Sequence, residues 1–113
     1  MEKLSFYQNT IKKILTEYER ISSQVPQPGI DELLMFDDQR GQYMWFNVGW
    51  QNGERIKSIS VYMRIKNEKI YIEEDWTEEG MANELLREGV PMEDIVLAFQ
   101  TPETRKLTEF AIA

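Results

Sequence analysis

The chain of 113 residues has no cysteine and no histidine. The first absence excludes a disulfide framework, thiol catalysis and thiolate metal sites. The second removes the commonest general base and zinc ligand near neutral pH. No apolar run is long enough to span a bilayer, and the N-terminal MEKLSFYQNT lacks the unbroken apolar stretch of a secretion signal. Cytoplasmic residence with no membrane partner is therefore expected. Cations are in short supply: 13 Lys and Arg stand against 20 Asp and Glu, for a net charge of −7. That balance opposes non-specific attraction to phosphate backbones or anionic lipid, so no direct nucleic acid binding is expected. Gly41, Gly49, Gly53, Gly80 and Gly89 have no phosphate-loop spacing, and Gly49, inside an extended run, marks a bulge or a close backbone approach. There is no internal repeat or low-complexity tract. What remains is 42% hydrophobic content, enough for one domain over residues 1–113 with its own core and too little chain for two.

Leu4, Tyr7, Ile11, Ile14, Leu15, Tyr18 and Ile21 recur by threes and fours, predicting an amphipathic helix from about Lys3 to Ser22. Lys12, Lys13, Glu17, Glu19 and Arg20 form its solvated face. Ser22 to Gly29 holds two prolines and a glycine and is read as a connection. From Ile30 the period changes to two. Asn52-Gly53 is a type I′ hairpin signal, because both central residues of that turn need positive φ. The turn sets Trp50 against Arg55, Val48 against Lys57, Phe46 against Ile59 and Met44 against Val61, placing the apolar residues of both strands on one inner face. A turn at Asn67-Glu68 sets Ile65 against Ile70 and Met63 against Ile72, and extends that face into a third strand. A four-residue turn, Asp38 to Gly41, pairs Phe36 with Tyr43 and Leu34 with Trp45 in a fourth.

The run Lys69 to Phe99 reads as strand, helix and strand. Lys69 to Asp75 alternates, Thr77 is placed as an N-cap, and Glu78 and Glu79 suit the positive end of a helix. Met81, Ala82, Leu85 and Leu86 form its apolar stripe, and Gly89 followed by Val90-Pro91 ends it. Ile95 to Phe99 fits a buried strand joined in parallel to the Lys69 strand, with room for a one-turn helix over Pro91 to Asp94. Thr101-Pro102-Glu103 starts a short last helix, with Leu107, Phe110 and Ala111 on its docked side. The fold class is thus α+β: an N-terminal helix, an antiparallel meander of three to four strands, then a helix, a short strand and a short C-terminal helix.

Two surfaces carry candidate chemistry. Glu73, Glu74, Asp75, Glu78, Glu79 and Glu84 cluster at the strand-to-helix turn, where Mg²⁺ or a carboxylate pair could act, giving a small metal-dependent enzyme as one alternative. Solvation and helix-start roles account for the same residues, so no catalytic residue, metal or cofactor is assigned. The face opposite the expected inner one carries Tyr43, Trp45, Tyr62, Arg64 and Tyr71, with Phe36 from the preceding strand. Tyr and Trp anchor protein interfaces, so these six are the candidate partner-binding residues, with self-association as a homo-oligomer a second arrangement. Base stacking on the same rings, as in a single-stranded nucleic-acid binding module, is a further alternative that lacks the usual cationic groove.

Asn47-Val48-Gly49-Trp50 with Arg55, the run Lys69 to Asp75, Thr77 to Ala82, Gly89 to Phe99 and Pro102 to Ala111 together resemble the XisI family, the excision controlling factors of a cyanobacterial developmental DNA element (the fdxN element). The likeness covers most of the chain. It implies a XisI-like α+β fold and a non-enzymatic regulatory protein of DNA rearrangement, working beside a nuclease-like XisH-type partner while a separate recombinase acts on the DNA.

Overall fold

A computed structural model describes residues 2–113. Helix α1 (Glu2–Ser22) leads into strands β1 (Ile30–Asp37), β2 (Gln42–Gln51), β3 (Glu54–Lys66) and β4 (Lys69–Asp75). Helix α2 (Met81–Arg87), a 3-10 turn (Met92–Asp94), strand β5 (Ile95–Leu97) and helix α3 (Pro102–Arg105) follow. The five strands form one sheet in sequence order, antiparallel from β1 to β4, with β5 parallel to β4. The α+β class and the element order are as expected from the sequence, with the short strand now the fifth of the sheet.

Helix α1 buries Tyr7, Ile11, Ile14 and Leu15 of the stripe its periodicity predicts, with Thr10 beside them and Tyr18 half-buried, against the same side of the sheet that α2 covers with Met81 and Leu85, while Leu4 and Ile21 at the two ends of the stripe are exposed. Polar contacts also fix α1. The Tyr7 hydroxyl donates to Asp94 at 2.5 Å, the Tyr18 hydroxyl donates to Glu84 at 2.5 Å, and the Lys12 ammonium lies 2.7 Å from Asp38 in the β1–β2 turn.

Each hairpin turn is where the sequence puts it. Asn52 and Gly53 both have positive φ, as do Asn67 and Glu68, which makes the strand ends next to each turn pair as predicted: Trp50 with Arg55, Val48 with Lys57, Phe46 with Ile59, Ile65 with Ile70. Between β2 and β3 the register slips once. Phe46 faces Ile59, but Trp45 faces Val61, leaving Ser60 as an extra residue in β3. Met44 therefore pairs with Tyr62, not Val61. Because the side-chain period is two, one inserted residue exchanges the faces. Val61, Met63, Ile70 and Ile72 lie under the helices as expected, but their β2 companions are Tyr43 and Trp45. The face expected to be inner on β2, Met44, Phe46, Val48 and Trp50, is the one the helices leave open.

A second slip, between Tyr62 and Met63, makes Glu73 the extra residue in β4. It turns Asp75 to the helix side, opposite Val61, and this relocates the start of α2. The Asp75 carboxylate accepts from the Met81 N–H at 2.6 Å and from both the N–H and hydroxyl of Thr77. Thr77 is thus not the N-cap: its hydroxyl accepts from the Gly80 N–H in the preceding turn, and the helix begins at Met81. The far end closes as predicted. Gly89, at φ 101°, takes the left-handed position, with Val90 N–H donating to the Leu85 carbonyl and Gly89 N–H to that of Leu86. This is the paired bonding of a Schellman cap.

The Thr101 side chain caps α3 by accepting from the Thr104 N–H, with Pro102 in the first turn. That helix stops at Arg105, so Leu107 does not dock and is 86% exposed. Arg105 instead holds the tail, donating to the carbonyls of Leu97, Ala98, Gln100 and Ile112. Ala111 bridges Val96 on the outer side of β5.

Candidate functional site

The open face of the sheet is built by the pleat of β1, β2 and β3 and by the Ser60 bulge. It presents Leu33 and Met35 from β1, Met44, Phe46, Val48 and Trp50 from β2, and Ile59 and Tyr62 from β3, with Trp76 just past β4. Trp50 is 58% exposed and Trp76 77%. Large exposed apolar patches on a sheet are uncommon on a fully solvated surface. Phe46, Val48, Lys57, Ile59, Glu74 and Trp76 line a shallow groove of about 730 Å³ across it.

Cations frame the apolar patch. The Arg55 guanidinium lies 5.6 Å from the Trp50 ring centroid and the Lys66 ammonium 5.3 Å from that of Tyr71, both cation–π distances. Arg64 pairs with Glu73 at 2.8 Å, and the Trp76 indole donates to Glu74 at 2.7 Å.

Of the six residues expected to bind a partner, the structure leaves two on the open face, Tyr62 and Arg64. Tyr43 and Trp45 are buried in the main core, Trp45 6.0 Å from the Tyr18 ring and donating its indole N–H to Glu32 at 3.2 Å. Phe36 is half-buried and packs on Tyr43. Tyr71 lies on the open side but is buried, paired with Val96 where the C-terminal segment closes that end. Their placement follows from the Ser60 bulge: Phe36, Tyr43 and Trp45 share the helix-covered side once the faces are exchanged. Leu33, Met35, Phe46, Val48, Trp50, Ile59 and Trp76 were missed. A signal was present, because the register placed Arg55 and Lys57 on the same face as Trp50 and Val48, and two unpaired cations do not belong in a core.

The acidic cluster is dispersed by the fold. Glu73 pairs with Arg64, Asp75 caps α2, Glu79 and Glu84 pair with Arg87, and Glu74 accepts from Trp76. Among the described residues no group of three or more carboxylates is placed to hold a metal ion. The buried carboxylate is Asp94. Burial pushes its carboxyl up, but hydrogen bonds from Lys3 and Tyr7 outweigh this and hold it below the ordinary range. Burial first, then the bond to Asp94, raises the Tyr7 phenol well above its usual value. Both donors meet the same carboxylate oxygen, Asp94 Oδ2, and among the described residues no fully buried side-chain polar atom lacks a partner.

Two helices cover one side of a five-stranded sheet, and the second side is apolar and aromatic, in a small α+β protein. The XisI protein family model matches residues 1–112. The fdxN element excision controlling factor XisI from Anabaena variabilis ATCC 29413 is 42% identical, with 98% of this chain and 99% of that one covered and a TM-score of 0.88. A XisI-like protein from the same organism is 39% identical over 97% and 99% of the two chains, with a TM-score of 0.90. No curated protein matches. The chain belongs to the XisI family.

Proposed function

We propose that the chain is a non-enzymatic accessory protein of a DNA-element excision system, a single cytoplasmic domain that acts by contact with a nuclease-like XisH-type protein. The observation that carries this reading is the open sheet face. Phe46, Trp50 and Trp76 supply the large, stiff side chains that anchor protein interfaces, and Tyr62 and Arg64 stand beside them. Membership of a family that includes an excision controlling factor supports the biological setting. The absence of histidine and cysteine from the chain limits the means of direct catalysis.

Co-expression with a XisH-type protein, followed by size-exclusion chromatography, tests the proposal. A co-eluting complex is expected. Trp50→Ala with Phe46→Ala should weaken it by about 1,000-fold, since interface aromatics of this kind contribute about 2 kcal/mol each and about 1.4 kcal/mol is tenfold. No complex, or one indifferent to both substitutions, would overturn it.

A further inference from the structure

The ion pairs are unevenly placed over the molecule. Lys3, Lys12, Lys13, Arg20, Arg40, Arg64 and Arg87 each have a carboxylate within 3.0 Å. Of the six cations that make no such pair among the described residues, Lys69 and Arg105 donate to main-chain oxygens and Lys106 ends α3, while Arg55, Lys57 and Lys66 are all exposed and all on the open side of β3. A chain of net charge −7 has carboxylates to spare, yet leaves these three cations without one. The acids on that side are Asp31, Asp37 and Glu74, with Glu73 held by Arg64 and Asp37 by Arg40. Glu74 is engaged by Trp76, and Asp31 sits on β1 across from Val48.

Lys57 is the telling member. It pairs with Val48 and lines the groove with Phe46, Val48, Ile59 and Trp76. Any partner that covers those apolar side chains also strips water from the ammonium, and an unpaired buried charge costs several kcal/mol. The covering surface must therefore bring an anion to Lys57 together with apolar groups for Phe46 and Ile59. A purely apolar partner leaves the charge stranded, and a basic one repels it.

We propose that the open face receives an acidic amphipathic segment of the partner protein, with carboxylates on Lys57 and Arg55 and alternate apolar side chains in the groove between Phe46, Ile59 and Trp76. This deepens the reading of the face as a docking surface and rests on it. The acidic character of the rest of the molecule then works as selection: away from this face an acidic segment meets like charge, so it is steered to one place.

The test uses the full chain and two synthetic ten-residue peptides, one alternating glutamate with leucine and one alternating lysine with leucine, followed by tryptophan fluorescence and calorimetry. The glutamate peptide should bind, more weakly as salt is raised, and Lys57→Glu should lower its affinity roughly tenfold or more, in line with the coupling of close charge pairs. The same variant should gain affinity for the lysine peptide. Lys57 is exposed and on the surface, and circular dichroism would confirm that the variant is folded. Equal binding of both peptides, binding of neither, displacement of the glutamate peptide by oligo(dT), or self-association through this face that excludes the peptide would each overturn the assignment. If the XisH-type complex forms but is indifferent to Lys57→Glu, the partner reading stands and this chemistry falls. If the glutamate peptide binds in a Lys57-dependent way while no such complex forms, the chemistry stands and the named partner falls.

Discussion

Replacing Trp45 by alanine should cost several times more stability than replacing Trp50, although the two sit five residues apart on one strand. Trp45 is 8% exposed, packs 6.0 Å from the Tyr18 ring and donates to Glu32, whereas Trp50 is 58% exposed. A buried aromatic side chain removes about 150–250 Å² from water, worth about 4–6 kcal/mol at 25 cal/mol per Å². Large-to-small replacements of this kind measure at about 3–5 kcal/mol, and we take that range for Trp45→Ala. Trp50 has less than half of its surface to lose, and an exposed position on an open sheet face should cost about 1 kcal/mol. For a chain of this size, at about 4 °C per kcal/mol, the two melting temperatures should fall by roughly 12–20 °C and 4 °C. Thermal and urea unfolding at pH 7, followed by far-ultraviolet circular dichroism, would read both. In a variant carrying Trp50→Phe and Trp76→Phe, the emission of the remaining Trp45 should be blue-shifted and resistant to acrylamide. A Trp50→Ala loss equal to or larger than that of Trp45→Ala would refute the assignment of the two sheet faces, and with it the proposed docking surface.

Gly49→Ala should destabilise the β1–β2 end of the sheet by about 2 kcal/mol or more, because an added Cβ would stand 2.0 Å from the Gly29 carbonyl oxygen and 2.8 Å from the Ile30 Cα; chemical denaturation checks it. Asp75→Ala should cost about 1–2 kcal/mol by removing the acceptor of the Met81 N–H, and hydrogen exchange should show the loss concentrated in α2. Asp94→Asn should cost about 1–3 kcal/mol at pH 7, the worth of hydrogen bonds to a charged acceptor. The folded Asp94 pKa is depressed, so its stabilisation is complete above the unfolded value of about 3.9 and disappears as pH falls through the folded one. The difference between wild type and variant in urea unfolding should accordingly be constant from pH 5 to 8 and close up below pH 4.

The turns were legible because their chemistry is local. Asn52-Gly53, Asn67-Glu68 and Asp38 to Gly41 each carry residues that tolerate the required backbone, and they fixed the strand pairings beside them. The Schellman cap at Gly89 and the Thr101-Pro102 start were readable for the same reason. The sidedness of β1 and β2 was not. Ser58-Ile59-Ser60-Val61 alternates without a break, so nothing in the wording of β3 announces that Ser60 is an extra residue. β2 is apolar on both sides as well, with Tyr43 and Trp45 on one and Met44, Phe46, Val48 and Trp50 on the other, so composition favoured the face with more apolar residues. The turn register is a pairwise quantity and survived; sidedness accumulates along the strand, and a single bulge reversed it. The Glu73 bulge had the same effect on Asp75, which is why the helix cap was sought at Thr77.

The way Arg105 secures the final residues bears on how much the chain can drift. Its guanidinium addresses main-chain oxygens at Leu97, Ala98, Gln100 and Ile112, and an oxygen of that kind is supplied by any amino acid. Those four positions are thereby free to change identity without unfastening the end of the molecule. The burden falls on one residue, whose forked donors a lysine cannot imitate.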